Sequence, residues 1–480
     1  MRTLAGPYSP VTAAGGLGRA RPVPAETAGG PGRAPARRVA GVHLIAAPDL
    51  VSARMQMALS LGWHIVIACF GVGFPVLVLL AEWRAHRTGD RTYDTLARRW
   101  AKALAVLFAV GAVSGTILSF ELGILWPGLM GRFGEVIGLP FAIEGIAFFV
   151  EAIFLGIYLY GWDRLTPRQH LWSGVPVVVA GAASAWFVVT ANAWMNQPRG
   201  FRLAGGQVYD PDPVAAMFNP ATPPQTTHML LAAYVVTGFG VASVYAWSWL
   251  RGRRDRYTRL GFLVPFTFAA VFAVPQVVVG DWAARFLAER QPVKLAAIEG
   301  LEKTQRGAPL TIGGLIEIPN GLSLLAHHDP NAEVKGLDSV PEEDRPPVLP
   351  VRIAFQVMVA IGTAYVALAG WFAFAWWRRR DLPRWRTPFM LAALAAGPAA
   401  VLALEAGWIV TEVGRQPWIV YGVMRTRDAV TQAEGIRYGY YALVAVYTAM
   451  TAATVYVLRR LARLPREDMA DPSAPEPMET

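Results

Sequence analysis

From about residue 50 onward the chain alternates long apolar runs with short clusters of arginine. Nine runs stand out, at about 57–82, 102–126, 137–161, 172–195, 228–250, 260–280, 350–377, 387–411 and 437–458. Each is long enough for the roughly 20 residues that carry a helix across a bilayer. The pattern predicts an all-α integral membrane protein with about nine transmembrane helices. Residues 49–280 would hold the first six, 281–349 a long connection, 350–465 the last three, and 466–480 a tail. A connection as long as 281–349 between tight spans is usually functional or disordered. Residues 1–48 are rich in Gly, Pro, Ala and Arg and cannot build a core, so they are expected to be disordered. They also lack the apolar centre of a signal peptide. No internal repeat supports an inverted-repeat transporter.

Composition sharpens this picture. The 480 residues are 54% hydrophobic and only 16% charged, against about 25% charged in soluble domains. Seventeen Trp and fifteen Tyr suit two interfacial belts. The net charge of +10 comes from arginine clusters between the apolar runs, where it sets topology and does not call for nucleic acid. The segment 83–102 and the turns RGRRDRYTR, RRRDLPRWR and RRLARLPR alternate with less basic loops. By the positive-inside rule the basic turns are cytoplasmic, which puts the N-terminus outside, the C-terminus in the cytoplasm and the 281–349 loop outside. Six arginines in residues 1–48 run against export of that segment. The single cysteine, Cys69, excludes an intrachain disulfide, a CxxCH haem attachment and a cysteine-ligated cluster.

Polar side chains inside the runs are few, and each is costly enough in lipid to be a candidate for function. They are His64, Glu144, Glu151, Ser184, Asn192, His228, Gln356, Met358 and Glu405. At about 1.5 Å per residue, His64 and Glu144 fall roughly 10 Å below the outer surface. His228 and Met358 enter from that side, and Glu405 ends near it, so the candidate iron ligands converge on one depth. Glu144 and Glu151 are two turns apart on one helix face, where two carboxyls can relay protons; Ser184 and Asn192 could extend that path. Hydrogen bonds to neighbouring helices are the structural alternative. Met/His is a known low-spin haem ligation, which gives His228 and Met358 meaning as a pair.

These residues sit in segments that resemble subunit I of cytochrome bd-type quinol oxidases over about 51–465. RMQMALSLGWH resembles the family's first helix, with its haem-ligand histidine at His64. LPFAIEGIAFFVEAIFLGIYLYGWDRL resembles the third-helix signature with Glu144 and Glu151, and ANAWMNQP the end of the fourth helix. TTHM places the low-spin haem histidine at His228, and AFQVMVA its methionine at Met358. KLAAIE places the quinol-loop pair at Lys294 and Glu299, charges that would otherwise be read as solvated. LEAGWIVTEVGRQPW resembles the eighth-helix signature, with a haem-ligating glutamate at Glu405 and Arg415 facing a haem propionate.

The resemblance implies a low-spin haem b on His228 and Met358, a high-spin haem b, and a third haem, d or b. His64 and Glu405 would ligate the high-spin pair beside Glu144. It implies quinol oxidation at the outer loop and reduction of O₂ to water with cytoplasmic protons, in a bacterial cytoplasmic (inner) membrane. A multi-spanning subunit II is the expected partner, and a small accessory subunit is a further partner the resemblance allows. The chain departs from the family pattern in four places, one of them an outer loop that is short and lacks the large insertion of some members. Gln356 stands where Arg is frequent, Glu144 and Glu151 are seven apart where some members have eight, and SFELG carries Ser119 and Glu121 where others read EFQFG. These departures resemble the cyanide-insensitive branch. A bc-type cytochrome would need paired histidines on two helices, and a haem-copper oxidase a cluster of intramembrane histidines; neither pattern is present. A proton-coupled transporter without haem would leave the common depth of His64, His228, Met358 and Glu405 unexplained.

Overall fold

The computed structural model describes residues 48–314, 316–382 and 386–463. The N-terminal extension up to residue 47 and the tail over 466–480 lie outside the described residues. Among those described, nine helices are long and apolar enough to cross a membrane. Counting only these, they are α1 (Pro48–Thr88), α2 (Arg91–Leu125), α3 (Pro127–Gly161), α4 (Pro167–Asn196), α5 (Thr222–Leu250), α6 (Arg256–Arg290), α7 (Val348–Arg379), α8 (Arg386–Glu412) and α9 (Ile436–Arg463).

Most helices outrun their apolar runs. α1 continues past Glu82 to Thr88, and α2 starts at Arg91, so the basic segment between them is almost wholly helical. The break is made by Gly89, whose φ of +69° ends α1, and by Asp90, whose carboxylate accepts from the Thr92 amide at 2.9 Å and caps α2. α4 opens on a capping box between Thr166 and Gln169, with Pro167 as its first helical residue.

In lipid no hydrophobic force separates helix from tail, so close van der Waals contact has to hold the helices together. Small residues permit it. A Cβ added at Gly238 of α5 would lie 2.7 Å from the Ala269 Cβ and 2.8 Å from the Pro265 carbonyl of α6. Gly73 of α1 faces Thr237 of α5, whose hydroxyl donates to the Cys69 carbonyl at 2.8 Å. Between α5, α6, α7 and α8, Phe266 packs against Phe239, Phe372 and Phe389 with ring centroids 5.6, 5.0 and 5.3 Å apart.

The bundle has two distinguishable ends. At one, which we call the arginine end, Arg256 of α6 reaches Asp90 of α2 at 2.5 Å, and Arg259 reaches Asp381 at 3.0 Å. At the other, the loop end, lies the connection between α6 and α7. It begins at 291, because α6 runs on to Arg290. It is built from a helix, Pro292–Glu299, and two antiparallel strand pairs, Gln305–Arg306 with Glu333–Val334 and Leu310–Ile312 with Ile316–Ile318. α9 packs on α1 and α2 through such contacts as Trp63 Nε1 donating to the Thr451 hydroxyl at 2.9 Å.

Candidate functional site

His64 of α1 leans on α2. Its Nδ1 lies 2.8 Å from the Ser114 hydroxyl. That hydroxyl is itself 3.2 and 3.1 Å from the Val110 and Gly111 carbonyls, to which it donates. With its one proton on a carbonyl the hydroxyl accepts from Nδ1–H, and the tautomer with that hydrogen leaves the ring's lone pair on Nε2. Gly115 makes the room: a Cβ there would stand 3.1 Å from His64 Cε1.

Glu405 of α8 faces α1 from another side. Its Oε2 lies 3.2 Å from the position of a Cβ on Gly62, and its Oε1 is buried without a partner. Met358 of α7 lies against Gly407, with Sδ 3.2 Å from an added Cβ. These neighbours put Glu405 about 3 Å and Met358 about 6 Å nearer the loop end than His64. His228 of α5 sits nearer the loop end. Counted from the Thr237–Cys69 contact, it is about 6 Å beyond His64. The four candidates therefore span about 6 Å, with His228 and Met358 at one level, His64 deepest and Glu405 between them. His228 Nε2 is 3.1 Å from Gln276 Nε2 of α6, while His228 Nδ1 and Gln276 Oε1 are buried with no partner. Flipping the amide would leave Nδ1 unpaired all the same.

On the α3–α4 seam, the Ser184 hydroxyl donates to Glu144 Oε1 at 3.2 Å, and Glu151 Oε1 lies 3.2 Å from a Cβ built on Gly181. Asn192 does not join this pair. Two turns nearer the loop end, its amide donates to Glu412 of α8.

Glu412 organises the loop end. Its second oxygen accepts from Arg415 Nη2 at 2.5 Å. Asn196 bonds the Asn192 carbonyl at 3.0 Å and accepts from Lys294 Nζ at 2.6 Å. Lys294 is thus no solvated loop charge: it is 3% exposed, and Gln291 beside it donates to the Asn196 carbonyl at 2.8 Å. Its helix is pinned by Val293, Leu295, Ala296, Ala297 and Ile298, all buried, and stopped by Gly300 at φ +70°. Burial brings Lys294 down to about 7, and Arg415 pushes the same way while Glu412 opposes. Glu299, at the end of that helix, is raised to about 7 by burial, against the pull of Arg352 and the Thr311 amide. Gln356 ties α7 to the same strand, its amide donating to the Thr311 carbonyl at 3.5 Å.

Arg415 is 2% exposed, yet its Nε and Nη1 have no partner. Buried guanidinium donors left open are costly and suit an anionic group. With the unpaired Glu405 Oε1 and His228 Nδ1, they fit a prosthetic group that brings metal and carboxylates together. Sequence reasoning missed Glu412, although it lies three residues before Arg415 and seven after Glu405 on one helical face.

The comparisons agree with this architecture. The family model for cytochrome bd terminal oxidase subunit I matches residues 52–465. A cytochrome bd menaquinol oxidase subunit I of Bacillus subtilis (strain 168) is 38% identical over 425 residues, covering 85% of this chain and 96% of that protein. The cytochrome bd-II ubiquinol oxidase subunit 1 of Escherichia coli (strain K12) is 26% identical over 495 residues, covering 86% and 96%. The solved bd oxidase of Geobacillus thermodenitrificans superposes with a TM-score of 0.81 at 39% identity, over 86% of this chain and 98% of that one. A nine-span bundle matched from its first helix to its last, in sequence and in shape, leaves one conclusion: the chain belongs to the cytochrome bd terminal oxidase subunit I family.

Proposed function

We propose that this chain oxidises quinol at its loop end and delivers the electrons to haems held by His228 and Met358, His64 and Glu405. As a member of its family it is a multi-pass bacterial membrane protein and a component of a haem-containing quinol oxidase, which works with a subunit II on quinol and O₂. The finer assignment is a low-spin haem b, a high-spin haem b and a third haem, d or b, with a small accessory subunit as an added partner. Haem iron, when bound, supplies the one-electron steps between quinol and O₂.

The chain's own residues divide the rest of the work. Lys294 and Glu299 bind and deprotonate quinol: Glu299, poised near neutrality, takes a hydroxyl proton, and Lys294 donates to the oxygen that loses it. Two quinols give four electrons and four protons, and O₂ takes four of each to become two waters. Arg415, held by Glu412, meets a haem carboxylate with its two open donors. Ser184, Glu144 and Glu151 hold and pass protons along the α3–α4 seam toward the level of His64 and Glu405. With the loop end outside and the arginine end in the cytoplasm, quinol protons leave on one side and water-forming protons come from the other, so turnover is electrogenic.

The observation that carries this reading is the set of buried polar atoms with no partner, His228 Nδ1, Glu405 Oε1 and Arg415 Nε and Nη1, whose chemistry suits iron ligands and a propionate partner. A dithionite-reduced minus air-oxidised spectrum of the purified complex, with pyridine haemochrome analysis, tests it. Haem b bands are expected, with or without a far-red chlorin band. His228→Ala should abolish the low-spin signal alone. A folded complex without haem, or a low-spin signal retained in that variant, would overturn the assignment.

A further inference from the structure

At the arginine end, far from the candidate ligands, a second set of titratable groups is sealed inside the bundle. Glu82 of α1 is fully buried. Its Oε1 lies 2.7 Å from His170 Nδ1 of α4 and 3.2 Å from His86 Nε2, and its Oε2 accepts from the Tyr158 hydroxyl of α3 at 2.6 Å. His170 is buried too, its ring tilted against Tyr158 and Trp162 with centroids 4.3 and 4.2 Å apart. Only the His86 side chain, 37% exposed, reaches the surface.

The hydrogen bonds fix where protons are. His170 Nε2 lies 2.9 Å from the Tyr158 carbonyl, which can only accept, so Nε2 carries hydrogen. A neutral ring would then turn a lone pair on Nδ1 toward Glu82. Two lone pairs do not sit 2.7 Å apart, so a proton must lie between them: on the carboxyl with His170 neutral, or on an imidazolium facing a carboxylate. The aromatic faces on either side suit the imidazolium. The cluster is thus a two-site trap for one proton. The other charged groups near it, Asp94 and Arg98 of α2, are paired with each other at 3.1 Å, and Arg98 also reaches Asp163 at 3.6 Å.

Its place in the fold matters as much. Glu144, Glu151 and Tyr158 follow one another at seven-residue steps along one face of α3. Opposite them on α4 stand Ser184, Gly181 and Gly174; a Cβ at Gly174 would be 3.1 Å from the Tyr158 ring. Gly181 leaves room beside Glu151, and Gly174 lets the Leu79 and Tyr158 side chains close against α4. The two turns between Glu151 and Tyr158, about 10 Å, are packed by Leu155 and Val177, so bridging waters must enter beside them for a proton to cross.

We propose that Glu82, His170 and Tyr158, charged from the surface through His86, form the proton-loading site of the α3–α4 column. The inference rests on the reading of Glu144 and Glu151 as a relay and adds its intake. His86 takes a proton from water and gives one to Glu82, the proton already shared with His170 leaves toward Glu151, and the cluster ends as it began.

The test uses the purified complex with its haems. Quinol-reduced enzyme is mixed with O₂, and proton uptake is followed with a pH dye, alongside anaerobic reduction of the haems by quinol. Glu82→Gln keeps the shape but cannot cycle the proton. It should keep full haem content and the normal anaerobic reduction rate while proton uptake slows by about tenfold or more, and Glu82→Asp should restore part of it. Wild-type uptake in Glu82→Gln overturns the proposal, as does equal haem loss in both variants. If Glu82→Gln loads haem poorly, the surface variant His86→Ala decides: uptake that weakens most at high pH supports the loading role, and an unchanged rate from about pH 6 to 9 overturns it. Glu151→Gln separates the two readings. Normal uptake there removes the relay itself, whereas slowed uptake there with none in the Glu82 and His86 variants removes only the loading site.

Discussion

Lys294 and Glu299 share one short helix and one feature: burial moves both toward neutrality from opposite directions. An acid raised to about 7 is mostly protonated at lower pH and cannot accept the quinol proton there. A lysine lowered to about 7 loses its proton as pH rises and can no longer donate as an ammonium. The rate of quinol oxidation should therefore climb as Glu299 ionises and fall as Lys294 deprotonates, a narrow bell centred near pH 7. Glu299→Gln should flatten the rising limb of kcat/KM and lower it by about 10²-fold, with the haem spectrum unchanged. A rising limb that survives in that variant would take Glu299 out of the proton path. The same residues show what the sequence makes legible. Charges inside lipid are rare, so His64, Glu144, Glu151 and Glu405 stand out of the apolar runs. Glu82, His170 and Glu412 do not, because each lies at the edge of a run, where a charge reads as interfacial. Only the helices that extend past those edges, and pack there, show them to be enclosed.

Elements follow the same division. Nine apolar runs give nine membrane-length helices among the described residues, because bilayer thickness sets the length of each run. Helix ends are a different matter: α1 and α2 carry the arginine segment as helix up to the Gly89–Asp90 break, and α6 carries its helix into the predicted loop, up to Arg290. Hydropathy reports where lipid stops, and capping and packing decide where the helix stops. Packing between elements is also silent in hydropathy. Gly238 lies inside an apolar run, but the α5–α6 contact depends on its having no side chain, with Pro265 and Ala269 under 3 Å from an added Cβ. Gly238→Leu should force α5 away from α6, carry His228 away from Gln276, and cost roughly 1–3 kcal/mol. The low-spin haem content and the thermal midpoint of the complex should fall together. A variant with wild-type midpoint would show that the seam can adjust.

At the scale of the whole molecule the question is which way the bundle faces, since the proposed chemistry depends on it. The arginines crowd one end, with Arg84, Arg87, Arg91, Arg98 and Arg99 around the α1–α2 break alone. The α6–α7 connection lies at the other. If the loop end is outside, proton release and proton uptake fall on opposite sides of the membrane, and each electron transferred moves charge across it; if the bundle is reversed, quinol protons would be released inside and water-forming protons taken from outside, and the charge movement would have the opposite sign. The protein offers a clean way to decide. Its only cysteine, Cys69, is 1% exposed in the α1–α5 core, so a maleimide will meet little background. Asn331→Cys places a thiol on an exposed turn of the α6–α7 connection, and Thr88→Cys places one on the exposed end of α1. A membrane-impermeant maleimide applied to spheroplasts should label the first and spare the second until the membrane is opened. Labelling of Thr88→Cys in intact spheroplasts would reverse the bundle and the sign of the proposed charge movement, while the proposed ligand set, which depends only on contacts within the bundle, would stand.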